Sequence, residues 1–185
     1  YDRKIIGWDE ILEGGLSPDA TVMSWRGTSG GISAALQKHD VIMTPGSGGL
    51  YLDHYQGDYK IEPVTIPSAP AYLSRTYNYE PVPDTIKSLG LEKHILGVQC
   101  NNWSEYMYTN AKMEYQMYPR SLALAEIAWS PAKKKNFTDF ARRVDANSVR
   151  LDERHVRYHI PLPEQPYGSC DKVVITKDTV VTFQT

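Results

Sequence analysis

The sequence is poor in cysteine, in net charge and in long apolar runs, and each shortage excludes a class of protein. Its 185 residues include two cysteines, Cys100 and Cys170, which are too few for a disulfide scaffold and badly spaced for a metal site. Twenty basic against twenty-two acidic residues give a net charge of −2, which does not point to nucleic acid or to an anionic membrane surface. No apolar run reaches the length that spans a bilayer. The five histidines are scattered, so we predict neither a metal nor a cofactor.

Phenylalanine is also scarce, whereas tyrosine and tryptophan are not. The chain has three phenylalanines against thirteen tyrosines and four tryptophans. Tyrosine and tryptophan combine an apolar face with a hydrogen-bonding edge, which suits polar ligands with apolar patches, such as sugars. Composition alone does not separate this interpretation from ordinary packing, so the positions of the aromatic residues must decide.

Short apolar runs alternate with helical patterns along the first 160 residues. The runs are apolar throughout, as is typical of buried parallel strands. Four repeats of strand, loop and helix predict an α/β fold, either half of a (β/α)₈ barrel or a piece of an open sheet. Strands are predicted at 4–8, 20–25, 40–45 and 94–100, and helices at 27–39, 69–79, 110–129 and 136–151.

Two details of the helical segments carry further predictions. Pro119 falls inside the pattern over 110–129, so we expect it to kink or split that helix. The segment GTSGG precedes the first helix, but it lacks the lysine and the spacing of a P-loop, which makes phosphate binding improbable.

The composition changes near residue 161. The proline-rich stretch PLPEQPYG is followed by alternating β-type residues, which predicts a domain boundary. We therefore assign 1–160 to the α/β domain and 161–185 to a linker and the first strands of a following β domain. The chain begins with tyrosine and ends within a strand-like run, so we expect it to be part of a longer protein.

Aromatic and charged side chains collect where each predicted strand ends. In (β/α) barrels the active site lies at the carboxyl ends of the strands. Aromatic faces pack against the C–H groups of a pyranose ring, and carboxylates accept hydrogen bonds from its hydroxyls. These positions therefore predict a sugar pocket. The residues are Trp8 with Asp9 and Glu10, Trp25 with Arg26, Tyr51 with Asp53, and Trp103 with Glu105.

Four of these segments, in chain order, carry a resemblance to a known family. IIGWDEIL, VMSWRG, YLD and GVQCNNWSEY resemble the later strand-end motifs of glycoside hydrolase family 20, the β-N-acetylhexosaminidases. The resemblance covers roughly residues 3 to 160. It implies the second half of a TIM barrel, followed by the start of a β-rich accessory domain. It further implies an exo-acting, retaining glycosidase that is periplasmic, cell-surface or secreted.

The resemblance also implies roles for individual residues. Trp8, Trp25 and Trp103 resemble the aromatic walls of the subsite for a terminal N-acetylhexosamine. Two of these indoles are expected to enclose the acetamido methyl group, and Trp103 is expected to lie under the sugar ring. The substrate's own acetamido oxygen is the nucleophile in this family. A carbohydrate with a terminal N-acetylhexosamine is therefore the expected partner, with no nucleic acid and no membrane.

The polar residues of the site receive roles in the same way. Tyr51 resembles the tyrosine that donates a hydrogen bond to the acetamido oxygen. Asp53 and Glu105 resemble the carboxylates that hold the sugar hydroxyls. His54, beside Asp53, is a weaker candidate for the pocket rim.

The pair Asp9–Glu10 is not assigned as the catalytic pair. The adjacent Asp-Glu of the family follows a GGDE-like motif on an earlier strand, and this sequence has no such motif. Glu10 is interpreted as a structural or supporting carboxylate. The chain alone is therefore expected to be inactive.

Half a barrel also leaves two open sheet edges, so we expect self-association or association with the missing half.

Two alternatives remain open from the sequence. A non-catalytic carbohydrate-binding module could use the same aromatic residues. A different (β/α)₈ glycosidase could carry its acid and its nucleophile elsewhere. An Asp-Glu pair on a preceding strand of the whole protein would favour the family 20 interpretation over both.

Overall fold

Four short parallel strands form the centre of the fold. The computed structural model describes residues 3–160. The strands are hydrogen-bonded in chain order, β1-β2-β3-β4, and every neighbouring pair is parallel. The register places Trp8 beside Met23 and Met43 beside Val98, so the four carboxyl ends lie at one edge of the sheet. The strands are β1 (Ile6–Trp8), β2 (Thr21–Ser24), β3 (Val41–Met43) and β4 (Ile95–Val98).

Six helices accompany the sheet in the part of the chain that the structure describes. Parallel strands connected through helices confirm the predicted α/β class. Short 3-10 turns over Asp9–Gly14, Gly46–Gly48, Glu92–His94 and Ala132–Lys134 complete the connections. The helices are α1 (Ser29–Leu36), α2 (Leu73–Asn78), α3 (Asp84–Ser88), α4 (Asn110–Met117), α5 (Arg120–Trp129) and α6 (Phe137–Glu153).

The helix predicted over 110–129 is split into α4 and α5. Pro119 lies between them, because its ring excludes the helical conformation of the preceding residue and it has no N–H to donate. The helix predicted over 69–79 begins later, at Leu73, since Pro70 precedes it. Helix α3 was not predicted, because its five residues are too few to show a helical period.

The first hydrophobic core lies between the sheet and α1. Helix α1 approaches β3 very closely at Gly31, where a Cβ atom would lie 2.6 Å from the sulfur of Met43. The Ser24 hydroxyl accepts a hydrogen bond from the Gly31 N–H at 2.8 Å and so joins β2 to the first turn of α1. The buried members of this core are Val22, Ala34, Ala35, Val41, Met43 and Ile86.

A second core joins α2, α5 and α6. Tyr77 stacks on Phe140 with a centroid separation of 4.6 Å, and Leu73 and Ala123 are buried beside them. Phe137 and Val144 pack against the same cluster, so the last helix buries the side that carries its apolar residues. This core fixes the helical layer behind the loop that follows β3.

The two outer strands expose apolar side chains. Ile5 and Ile6 at β1 and Leu96 in β4 are all exposed.

Across residues 3–160, the structure contains no helix with both the length and the apolar character needed to cross a membrane. The predicted β domain over 161–185 lies outside the described residues and stays a prediction.

Candidate functional site

A cavity of about 460 Å³ opens at the carboxyl ends of the strands. Its volume is within the range of small-molecule sites and suits one sugar ring. All six residues predicted for substrate contact line it. Glu10, His54 and Ile66 also contribute. The lining residues are Trp8, Glu10, Trp25, Tyr51, Asp53, His54, Ile66, Trp103 and Glu105.

The aromatic rings of the cavity form a continuous series. Trp8 and Trp103 have centroids 5.8 Å apart and planes tilted by 48°. Trp103 meets Tyr51 edge to face at 6.4 Å, and Tyr51 lies nearly parallel to Trp25 at 6.4 Å. Trp103 remains 41% exposed, which is high for an indole and leaves a ring face free for a ligand.

The carboxylate of Glu10 fixes the orientation of Trp25. The indole N–H of Trp25 lies 3.0 Å from both carboxylate oxygens of Glu10. This hydrogen bond is the main reason why the pKa of Glu10 lies below its usual value. An ionised carboxylate that is already engaged is unsuited to act as a general acid.

Asp9 holds the ends of β1 and β2 together. Its side chain is 1% exposed and accepts hydrogen bonds from the Arg26 Nε at 2.6 Å and from the Trp25 backbone N–H at 3.2 Å. A Cβ atom at Gly30 would lie 2.8 Å from the Asp9 carboxylate, so the start of α1 closes over it. Asp9 is not among the residues that line the cavity. The structure therefore gives the Asp9–Glu10 pair a supporting position.

Tyr51 reaches the cavity because the chain continues the sheet beyond β3. Leu52 donates its backbone N–H to the Asn101 carbonyl at 2.7 Å, and Asn101 donates to the Leu50 carbonyl at 2.9 Å. Gly49 makes the preceding turn with a φ of 76°, a left-handed conformation that other residues rarely adopt. Burial raises the pKa of the Tyr51 phenol, so its proton is available for donation at neutral pH.

Asp53 brings an unused carboxylate to the cavity. Its side chain is 1% exposed, and within residues 3–160 neither carboxylate oxygen has a hydrogen-bonding partner. Burial is the main cause that raises the pKa of Asp53, and the charge of Glu105 raises it further. The nearby Asp53 and Trp103 amides and the Arg120 cation partly offset this rise. Buried polar atoms are normally paired, so this carboxylate has acceptor capacity available for a ligand.

Three further titratable side chains near the site are either neutral or exposed. Burial lowers the pKa of His54 to about 4, and its uncharged ring lies edge-on to Tyr51 at 5.6 Å. Glu105 is exposed at the cavity mouth. Burial raises the pKa of Cys100 to about 12, so this thiol stays protonated and unreactive. No group of three potential metal-ligating side chains occurs between residues 3 and 160.

Two residues of the site region were not found by sequence reasoning. Ile66 lines the cavity, but an isolated isoleucine in a long loop gives no signal of its own. Arg120 is fully buried behind the Tyr51–Asp53 segment. The only available signal was its position at the start of an apolar helix, where an arginine has few routes to solvent.

The sequence of the chain is similar to family 20 enzymes. The family described as "Glycosyl hydrolase family 20, catalytic domain" matches residues 1–132. The chain is 57% identical to the β-hexosaminidase of Porphyromonas gingivalis over 187 residues, which covers 100% of this chain and 24% of that protein. It is 36% identical to the β-hexosaminidase of Vibrio furnissii, with 66% of this chain and 20% of that protein covered. The chain thus spans less than a quarter of these curated relatives.

Solved structures give the same result. The exo-β-N-acetylglucosaminidase of Vibrio harveyi, in complex with N-acetylglucosamine, matches with a TM-score of 0.78 and 31% identity. The match covers 85% of this chain and 25% of that one. The β-N-acetylhexosaminidase of Streptomyces coelicolor matches in fold with a TM-score of 0.75 at 20% identity. This match covers 89% of this chain and 34% of that one. These similarities confirm the predicted fold, the second half of a (β/α)₈ barrel.

Proposed function

Since the chain belongs to glycosyl hydrolase family 20, we propose that the whole protein is an exo-β-N-acetylhexosaminidase. It removes a terminal N-acetylglucosamine or N-acetylgalactosamine from a glycan with retention of configuration. One observation carries the proposal. Three indoles, the Tyr51 phenol and the unpaired Asp53 carboxylate converge on a single cavity of sugar size.

The chemistry of the bound sugar explains this combination. In the reaction that we propose, the acetamido carbonyl oxygen attacks the anomeric carbon and forms an oxazolinium intermediate, while the aglycone departs with a proton from a general acid. Water then attacks the anomeric carbon and returns a proton to the group that acted as the acid, while the bond from the anomeric carbon to the acetamido oxygen breaks and restores the acetamide. The protein supplies no covalent partner. The cavity residues therefore have to hold the acetamide in its attacking geometry.

The cavity supplies suitable groups for that task. The Tyr51 phenol keeps its proton and donates to the acetamido oxygen, which holds that oxygen in line with the anomeric carbon. The Trp8 and Trp25 faces enclose the acetamido methyl group, and Trp103 lies under the pyranose ring. Asp53 and Glu105 accept hydrogen bonds from the sugar hydroxyls.

The general acid has to come from outside the described residues. Asp9 and Glu10 are both engaged by Trp25 and Arg26, and the other adjacent Asp-Glu pair, Asp152–Glu153, ends helix α6. We therefore propose that residues 1–185 alone do not hydrolyse the substrate. Membership of family 20 sets aside a different (β/α)₈ glycosidase, and it also favours an enzyme over a non-catalytic sugar-binding module.

A pair of chromogenic substrates tests the proposal. The whole protein is expected to hydrolyse p-nitrophenyl N-acetyl-β-glucosaminide, and it is expected to be inactive on p-nitrophenyl β-glucoside, which lacks the acetamido nucleophile. NMR of the first sugar released should show the β-anomer. Comparable rates on both substrates, or release of the α-anomer, would reject a substrate-assisted mechanism.

Replacing Trp103 with alanine is expected to weaken sugar binding by about 1–3 kcal/mol, because the aromatic platform under the ring is lost. Titration calorimetry with an N-acetylglucosamine thiazoline measures the effect. Trp129→Ala is the matched control, since Trp129 is 88% exposed on α5 and does not line the cavity. Equal affinities in Trp103→Ala and the unmodified protein would remove Trp103 from the sugar subsite.

The open edges of the sheet lead to a proposal for residues 1–185 expressed alone. In the described part of the chain, strands β1 and β4 each have one unpaired edge, and they expose Ile6 and Leu96. Such edges pair readily with another chain. We expect sedimentation as dimers or larger species, and a shift towards monomer in Ile6→Lys and Leu96→Lys. A monomeric unmodified chain at high concentration would contradict this.

The proposed location is outside the cytoplasm, in the periplasm, on the cell surface or secreted. The support is the family resemblance and the nature of the proposed partner, a glycan with a terminal N-acetylhexosamine. Fractionation of the native cells distinguishes these compartments. Recovery of the whole protein in the cytoplasm alone would reject this location without affecting the catalytic proposal.

A further inference from the structure

Arg120 is the largest fully buried side chain in the described part of the molecule, with 0% exposure. Its guanidinium donates to three backbone carbonyls that belong to three separate segments. Nη1 donates to the Ala71 carbonyl at 3.1 Å, at the approach to α2. Nη2 donates to the Gln116 carbonyl at 2.7 Å, in α4, and also to the Leu52 carbonyl. Leu52 is the residue between Tyr51 and Asp53.

No carboxylate forms an ion pair with Arg120 among residues 3–160. Burial lowers the pKa of Arg120 to about 10, so the group is still charged at neutral pH. A buried cation directed at carbonyls rather than at a carboxylate is unusual, because pairing normally offsets the loss of hydration. Among the described residues, the nearby Asp53 carboxylate likewise has no hydrogen-bonding partner.

The carbonyl of Asp53 itself is held from the same side. It accepts a hydrogen bond from the Thr65 hydroxyl. Gln116 Nε2 donates to Thr65 Oγ1 at 2.8 Å and lies 3.4 Å from the Asp53 carbonyl. The carbonyls of Leu52 and Asp53 are therefore both fixed by buried side chains. We call Thr65, Gln116 and Arg120 the carbonyl clamp.

The other side of the same segment is fixed by the sheet. Leu52 N–H donates to the Asn101 carbonyl at 2.7 Å, so the segment is bound on one side by the chain that follows β4 and on the other by the clamp. With its backbone held from both sides, Asp53 presents a carboxylate that none of the described residues engages. A salt bridge from the same arginine would instead have occupied the acceptors that a sugar hydroxyl needs.

We propose that the carbonyl clamp positions the Asp53 carboxylate for the sugar, with Arg120 as its principal positioning residue. The inference rests on the proposed function, because it assigns a partner to Asp53. Arg120 acts only through the backbone and does not touch the sugar. Its contribution is geometric: a carboxylate displaced by a fraction of an ångström loses much of a hydrogen bond whose strength depends on distance and angle.

A double-mutant cycle in the whole protein separates positioning from mere structural support. Arg120→Lys is expected to lower kcat/KM on p-nitrophenyl N-acetyl-β-glucosaminide about 30-fold, because lysine cannot reach three carbonyls at once. Thr65→Val, which keeps the shape and removes the hydroxyl, is expected to lower it about fivefold. In an Asp53→Asn background, each substitution is expected to lower kcat/KM less than about twofold.

A purely structural role would not make the effects of these substitutions depend on the Asp53 carboxylate, so this dependence is what the cycle measures. If Arg120→Lys and Thr65→Val reduce activity by the same factor with and without the Asp53 carboxylate, the proposal is overturned. Arg143→Lys is the matched control, since Arg143 is an exposed arginine paired with Glu126 on the helical surface. It is expected to leave kcat/KM unchanged.

Two further outcomes have defined meanings. If Arg120→Lys does not fold, Thr65→Val carries the test alone, and full activity of Thr65→Val overturns the clamp. The same single and double variants can also be compared by their affinity for N-acetylglucosamine, measured by calorimetry, which does not depend on catalysis. A wild-type protein that binds the sugar but does not hydrolyse the substrate rejects the proposed enzyme and leaves the clamp to be judged by the affinity cycle. A protein that does neither rejects both.

Discussion

Tyr51→Phe is expected to lower kcat on an N-acetyl-β-glucosaminide about 100- to 1000-fold, with a much smaller change in KM. The hydroxyl that is lost holds the acetamido oxygen in line with the anomeric carbon. Misalignment of the nucleophile lowers kcat more than it weakens ground-state binding. Steady-state kinetics with p-nitrophenyl N-acetyl-β-glucosaminide measures both constants.

The shape of the cavity should survive this substitution. Phenylalanine retains the ring that lies parallel to Trp25 and meets Trp103 edge to face. The backbone pairing of Leu52 with Asn101, which places residue 51, does not involve the hydroxyl. Tyr108→Phe, at a highly exposed tyrosine outside the cavity, is the control. A rise in KM with unchanged kcat would assign the Tyr51 hydroxyl to uniform binding instead.

Asp53→Asn is expected to lower kcat/KM on the order of 100-fold and, at neutral pH, to raise the thermal midpoint of unfolding. The first effect follows from the proposed role of Asp53, because the substitution removes a charged acceptor for sugar hydroxyls. The second follows from burial, because an ionised carboxylate without a partner destabilises the folded state. Asp53→Asn should therefore lower activity while it raises stability.

The pH dependence gives the sign of this stability effect. The pKa of Asp53 is raised in the folded protein. Its protonated carboxyl therefore contributes stability that is fully present below the unfolded-state pKa and is lost as the pH rises through the folded-state pKa. The midpoint difference between Asp53→Asn and the unmodified protein should therefore be largest at neutral pH and should shrink as the pH falls towards the carboxyl range. Differential scanning calorimetry over that range measures it. A variant that is less stable at neutral pH would show that Asp53 is paired in the whole protein.

The positions of the cavity residues could be predicted because they follow from strand geometry. Parallel strands end at one edge of the sheet, so Trp8 and Trp25, at the ends of β1 and β2, had to lie near each other once their strands were identified. Trp103 and Tyr51 are less obvious, since each lies several residues beyond its strand, and Tyr51 follows β3. It reaches the cavity only because the chain pairs with Asn101 beyond β4, a long-range contact that no local pattern contains.

The supporting residues could not be predicted, because their environment depends on contacts across the fold. Asp9 was expected only as part of a motif, but its burial requires Arg26 from the next strand. Arg120 follows Pro119, and the sequence does predict a break there. That the break turns the first side chain of α5 inward, onto three carbonyls, depends on how α2, α4 and the loop after β3 pack together.

The series of rings at the strand ends also has an optical consequence. Three of the four indoles line the cavity, while Trp129 lies almost entirely in solvent. Ligand entry would change the polarity around most of the fluorophores and leave one as a steady reference. The molecule thus carries an intrinsic emission signal for occupancy of the cavity, and it needs no attached dye.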